Sequence, residues 1–184
     1  MARAVGSLLR MPKLWTYENV VAYQLFAKRY ISSYVTEIDC ADLALASLVE
    51  FAYENGLRVK LKYYDKGWKP YDSSAEPSKD AFKRLVMRNM GALNVIDNTH
   101  SISLSEAAAG DLIMTKWDAR LGHTRIIYEL TPVLGAAEAS DYRVVWYQGN
   151  LPPVVPERRE QLFSAIGNVY GGKPRRWNFD AFDR

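Results

Sequence analysis

Cysteine occurs once in this 184-residue sequence, at Cys40, and histidine only twice, at His100 and His123. A single cysteine excludes an intramolecular disulfide and any zinc site built from several thiolates. No pair among Cys40, His100 and His123 has the short helical or loop spacing of metal ligands, so neither a metal nor another cofactor is expected. Long apolar runs are also missing. Nothing approaches the roughly 18 consecutive apolar residues of a membrane-spanning helix, so no membrane insertion is expected. The apolar runs of the opening MARAVGSLLRMPKLWTYENV are too short for the core of a signal peptide. No Lys/Arg run exceeds two residues and the net charge is +3, too weak a footprint to suggest a nucleic-acid partner. Internal repeats and low-complexity tracts are absent.

What remains is an ordinary globular composition, with 48% hydrophobic and 24% charged residues, and a length that predicts one domain over residues 1–184. After an irregular lead-in (1–15), Thr16 is placed to cap a helix through YENVVAYQLFAKRYIS, with Val20, Val21, Leu25, Phe26 and Tyr30 on its apolar side. Asp39 is placed to cap a second helix, which Asn55-Gly56 would stop. That helix is apolar almost all round, which predicts burial inside the domain, with Cys40 in its first turn.

The alternation in LRVKLKYYD predicts a strand, and GWKPYDSSAEP reads as a loop. A third helix, capped by Ser78, ends at Gly91. DNTHSISLSEAAAG is mixed, with His100 in a loop. DLIMTKW, GHTRIIYELT and YRVVWYQG predict three strands, of which the last two pair antiparallel. The three prolines of NLPPVVPERR exclude a central strand there. A short helix, EQLFSAIGNVYG, and a polar tail, GKPRRWNFDAFDR, complete the reading. Helices first and an antiparallel section after them give an α+β fold.

Cys40 stands where unpaired helix N–H groups favour a thiolate, the nucleophilic form of cysteine. A nucleophilic cysteine needs a base, and His123, just after a glycine at the start of a strand, is better fixed than His100. Folding the two paired strands about the middle of their connection brings His123 opposite residue 150 or so. Gln148 and Asn150, which share one strand parity, are then the candidates to orient the ring. Asp39 reads as a cap and Asp111 as the tie of a turn. PERRE and KPRRW read as solvated faces, and the 5 Trp and 12 Tyr as core or groove aromatics.

DCADL opening a helix, AAAGDLIMT leading into GHTRIIYEL, and then VVWYQGN resemble the papain-like cell-wall cysteine hydrolases, the NlpC-type and CHAP-type amidases and endopeptidases. Cys40, Gly110-Asp111-Leu112 and His123 match that pattern, and Gln148-Gly149-Asn150 stands where CHAP-type members carry Glu-x-Asn. The resemblance covers about residues 36–150, the expected core. It implies a papain-like fold in which the buried Cys-bearing helix packs on a small antiparallel sheet bearing the His. It also implies attack of Cys40 on an amide of a peptidoglycan stem peptide, with His123 as base and acid. Some such proteins are antibacterial effectors of type VI secretion systems. By analogy, this chain would be made in a bacterial cytoplasm, act in the periplasm of a target cell, and have a secretion component and a neutralising immunity protein as partners. The alternatives are a protease, deamidase or acyltransferase acting on a host protein, and a binding module in which Cys40 is inert.

Overall fold

The computed structural model describes residues 13–64, 67–133, 141–164 and 172–184. Two helices come first. Thr16 caps α1 (Tyr17–Ser33), its hydroxyl accepting from the Asn19 N–H. The buried stripe of α1 is Tyr23, Ala27 and Ile31, one residue every turn, while Leu25 is exposed and Val20, Phe26 and Tyr30 pack at its flanks. The expected apolar side was therefore rotated: the small Ala27, not Leu25, faces the core, because α1 lies close against its neighbours. Asp39 caps α2 (Cys40–Asn55) by accepting from the Asp42 N–H at 2.8 Å, and Gly56 ends it in the left-handed conformation (φ 69°). Eleven of its residues are buried, on all sides, as the apolar circumference predicts.

The chain then forms the hairpin β1 (Lys60–Tyr64) and β2 (Trp68–Asp72), the helices α3 (Lys79–Asn89) and α4 (Ala92–Asp97), and β3 (Thr99–Ser101). β4 (Leu112–Lys116), β5 (Gly122–Pro132), β6 (Asp141–Gln148), β7 (Glu157–Ser164) and β8 (Lys173–Trp177) follow, and α5 (Phe179–Phe182) closes the chain. Six strands make an antiparallel sheet in the order β3-β8-β4-β5-β6-β7. The fold is α+β. Alternation sorts its side chains: Leu112, Met114 and Ile126 join the core around α2, whereas Ile113, Ile127, Val144 and Trp146 cluster with Leu104 on the opposite face.

Several local expectations fail for identifiable reasons. GWKPYDSSAEP contains β2, whose Pro70 is tolerated because the two-stranded hairpin leaves each strand an unpaired edge. His100 lies in β3, not a loop. The expected helix over 160–171 is in part β7, an edge strand running to Ser164; residues 165–171 lie outside the described residues. Its charged, uncovered side hid the strand alternation. The polar tail is the largest departure. Trp177, Phe179 and Phe182 are buried in the main core with Trp15 and Tyr23, so the lead-in and tail complete the core rather than flank it. Nor is KPRRW a solvated face. Arg176 forms a two-pronged pair with Asp111 (Nε–Oδ1 2.9 Å, Nη2–Oδ2 2.7 Å), while Arg175 donates to Thr99 Oγ1 and to the carbonyls of Ile96 and Thr99. Asp111 also ties its turn, as expected, by accepting from the Ala108 N–H.

Burial pushes the Asp111 carboxyl up, and Arg176 opposes that shift. Arg176→Met strands the carboxylate and should cost about 3 kcal/mol in urea unfolding at about pH 8. The loss should shrink near pH 4.5, where the stranded group takes up a proton. An equal loss at both pH values would show that the pair is not the source of the stability.

Candidate active site

The site is assembled by the way β6 ends. The β5–β6 ladder starts at the pair Ile126↔Tyr147, and beyond Gln148 the β6 chain leaves the sheet. The N-terminus of α2 takes up the vacated place beside β5. Asn150 N–H and Val154 N–H donate to the Ile38 carbonyl, and Ile38 N–H donates to Val154 O at 2.9 Å. Gly149 lies flat against the same backbone: a Cβ there would stand 2.3 Å from Ile38 O and 2.6 Å from Asp39 O, so only glycine fits. On the other flank, Gly122 packs against Ala92 and Leu93 of α4.

Cys40 is thereby brought to the start of β5, where its thiol interacts with the backbone N–H of Thr124, the residue after His123. Cys40 is 8% exposed and His123 6%. The His123 ring leaves β5 on the face shared with Arg125 and Ile127, opposite the face that packs on α2. There it stacks on the exposed Trp117, with centroids 5.9 Å apart and planes at 12°, and its Nε2 meets Gln148 Oε1 at 3.2 Å. The same Oε1 accepts from Trp146 Nε1 at 3.1 Å. An indole N–H only donates, so the atom it meets is the amide oxygen, and His123 must donate to that oxygen through Nε2–H. Its Nδ1 then carries the lone pair and has no hydrogen-bond partner among the described residues. No hydrogen bond joins Cys40 Sγ to the ring among the described residues.

Of the two candidates for the third position, Gln148 holds the ring. Asn150 is exposed and its Oδ1 accepts from the Leu151 N–H. His100 is separated from β5 by three strand spacings, roughly 14 Å, and its Nδ1 meets Asn178 Oδ1. Among the described residues, no cluster of three or more His, Cys, Asp or Glu side chains is placed to hold a metal ion, and no helix is long and apolar enough to cross a membrane. Three participants escaped the sequence reading: Trp117, Trp146 and Arg125. The parity that puts Gln148 and His123 on this face also puts Trp146 and Arg125 there.

Electrostatics differ from the expectation at Cys40. Burial pushes its thiol up and the Asp39 carboxylate adds to this; the N–H groups of Thr124, Ala41 and Cys40 itself oppose the shift without overcoming it. The helix N-terminus therefore does not yield a resting thiolate. His123 is pushed down, first by burial and then by the Arg125 cation, against the smaller lift from Gln148 and Asp39. Both shifts favour the uncharged forms, so the resting pair is thiol and imidazole. On the first turn of α2, Asp42 is pushed up to about 7 by burial and by Asp39, and its Oδ1 has no hydrogen-bond partner among the described residues.

No protein-family model, curated protein or solved structure matches this chain.

Two measurements follow from these shifts. Alkylation of native Cys40 by iodoacetamide should rise with pH around a midpoint above the ordinary thiol value of about 8.5. A reactive plateau at acidic and neutral pH would instead reveal an imidazolium–thiolate pair. For Asp42, a raised folded pKa means that its contribution is most favourable below the unfolded carboxyl pKa and is lost as pH rises toward 7. Asp42→Asn should therefore raise the thermal midpoint more at about pH 8 than near pH 5; the opposite order would contradict the buried, unpartnered carboxylate.

Proposed function

We propose that the protein is a papain-like cysteine hydrolase that cleaves amide bonds in peptidoglycan stem peptides. The observation that carries this reading is the seating of the Cys40 thiol on the strand residue that follows His123, while Gln148 presents the His123 ring with Nδ1 as the basic nitrogen. The order of Cys helix, GDL strand, His strand and polar third residue supports the same class.

In this mechanism the sulfur and Nδ1 of His123 close up when substrate binds, with the ring still held by Gln148; hydrogen bonds of catalytic pairs are commonly long or unmade in the free enzyme. Nδ1 takes the thiol proton as sulfur attacks the amide carbon. The Cys40 backbone N–H stabilises the oxyanion. The C–N bond breaks, the amine leaves with the proton from His123, and a thioester remains. Water, deprotonated by His123, then attacks the thioester; the acid is released and the thiol is restored. Because the pair rests neutral, charge separates only in the transition state. Trp117 shields the outer face of the ring from water, which strengthens the hydrogen bond to Gln148. Delivery into a rival cell's periplasm, with an immunity protein as partner, belongs to this proposal by analogy to such effectors.

A second reading is favoured by one observation: the Cys40 thiol is buried and shares no hydrogen bond with the ring, as a binding module with an inert cysteine would have it. Purified muropeptides, digested and followed by mass spectrometry, separate the two. Cys40→Ala and His123→Ala should abolish cleavage with the fold intact. Gln148→Ala should lower kcat/KM about 10- to 100-fold, the usual scale for a residue that orients a working histidine or ligand. Full activity of Cys40→Ala sinks the mechanism. Intact muropeptides with cleavage of protein substrates would move the assignment to a protease. Inactivity on both, with Cys40 alkylated only after denaturation, would establish the binding module.

A further inference from the structure

Among the described residues, five serine and threonine side chains are buried, and four of their hydroxyls are hydrogen-bonded. Ser47 Oγ donates to the Ala44 carbonyl, Ser73 Oγ accepts from the Val59 N–H, Thr99 Oγ1 donates to the Ile96 carbonyl, and Thr115 Oγ1 accepts from Arg125. The fifth belongs to Thr124, which is 0% exposed, and its Oγ1 has no hydrogen-bond partner. A buried hydroxyl without a partner lowers stability, whereas a valine of nearly the same shape carries no such cost and suits a strand as well. The position of this hydroxyl gives it a use. Thr124 follows His123 on β5 but its side chain leaves on the opposite face: it shares parity with Ile126 and pairs with Met114, both in the core around α2. That is the side from which Cys40 reaches β5, and the Thr124 backbone N–H already interacts with the Cys40 thiol. Covalent geometry keeps N and Oγ1 of one threonine within roughly 4 Å of each other. A sulfur held at the N–H therefore lies within the sweep of the hydroxyl about χ1, and no other hydrogen bond holds the hydroxyl back.

We infer that the Thr124 hydroxyl is a second donor to the Cys40 sulfur, engaged when the thiol gives up its proton, so that the N–H and O–H of one residue together hold the thiolate. A neutral thiol sulfur is a weak acceptor and gives the hydroxyl little reason to turn. A thiolate is a charged acceptor, and hydrogen bonds to charged groups are roughly twice as strong. The proton balance is simple. The thiol proton passes to His123 Nδ1, and Thr124 keeps its own proton and shares it only as a hydrogen bond. That bond lapses as the C–S bond forms and the negative charge moves to the carbonyl oxygen. For its role in turnover the inference rests on the hydrolase reading, and it adds a group to that site. His123 and Thr124 are consecutive on one strand, so the residue that removes the proton is followed by the residue that receives the charge. An unpartnered donor in the resting protein is what a group looks like when its acceptor arises only during the reaction.

The chain has one cysteine, so thiol chemistry reads this site alone. The pH midpoint of alkylation by iodoacetamide is measured on the folded full chain, on Thr124→Val and on Thr124→Ser, with thermal midpoints taken alongside. Losing a donor to the charged form raises a thiol's midpoint. Thr124→Val should therefore move it up by about one pH unit, a tenfold loss of thiolate at a given pH below the midpoint. Thr124→Ser keeps the hydroxyl and should stay close to the parent. Among the described residues, the titratable groups flanking the sulfur are Asp39 and Asp42 at the start of α2 and His123 on β5. All three are the same in each protein, which assigns the shift to the hydroxyl. The thermal midpoint of Thr124→Val should equal or exceed the parent's, because an unpartnered hydroxyl has left the core. On muropeptides the same variant should lower kcat and kcat/KM equally, by about tenfold. An unchanged or lowered alkylation midpoint in Thr124→Val would overturn the assignment, and so would an equal rise in Thr124→Ser. A lower thermal midpoint in Thr124→Val, or its failure to fold, would show that the hydroxyl serves the fold and would overturn it too. If the midpoints move as expected but the wild type cleaves no muropeptide, the hydrolase reading falls and the thiolate donor stands. If the wild type and Thr124→Val cleave equally well and share one alkylation midpoint, the donor alone falls.

Discussion

Backbone lies against backbone where Gly149 meets Ile38 and Asp39, and the position of every candidate catalytic group follows from that contact. A helix normally approaches a sheet through two layers of side chains, about 10 Å between backbones. Here the end of β6 has no side chain at the point of contact, so the first turn of α2 reaches the strand ends directly. Three hydrogen bonds among Ile38, Asn150 and Val154 fix the approach. Had any other residue stood at 149, the Ile38–Asp39 carbonyls would have been displaced and Cys40 carried off Thr124. The buried circumference of α2 then does the rest, since a helix apolar on all sides cannot roll or slide without exposing part of itself.

The same closeness decides the electrostatics. A helix N-terminus carries roughly half a positive charge, enough in an exposed setting to favour a thiolate. At Cys40 that influence competes with removal from water and with the cap itself: Asp39 satisfies the Asp42 N–H but brings a negative charge beside the sulfur. Burial is the largest of these effects at Cys40, and it is also the largest at His123. A carboxylate in the place of Gln148 would stabilise an imidazolium and so a charged pair. A neutral amide orients the ring but provides little compensation for its charge. The glutamine and the neutral resting pair are two expressions of one arrangement; under the proposed mechanism the proton would move only when a carbonyl is in place to receive the sulfur.

Much of this was legible in the sequence, and the residues show why. Caps at Thr16, Asp39 and Ser78 are local chemistry, read from one turn of chain. The β5–β6 register was readable because the connection is short: folding it at its middle sets His123 opposite 150, the alignment that the pair Ile126↔Tyr147 continues, and a bulge at 127–129 shifts only the pairs beyond. Parity alone left Gln148 and Asn150 equivalent. They are distinguished by the departure of the chain from the sheet at Gly149, a tertiary event. The tail was misread for a similar reason. KPRRW looks solvated until Asp111, 65 residues away in sequence, supplies the partner that lets Arg176 be half-buried. Papain-like specifics of the fold belong to the proposal, while the α+β arrangement is what the described elements display.

The face that carries His123 brings these points together. Alternation along β5 puts His123, the buried Arg125 and the apolar Ile127 in one row, so the histidine cannot be placed there without the arginine becoming its neighbour. Arg125 costs the ring basicity. Thr115 Oγ1 accepts from Arg125 Nη1 at 2.9 Å, so the guanidinium is anchored by the neighbouring strand β4 on the same face as the ring whose basicity it lowers.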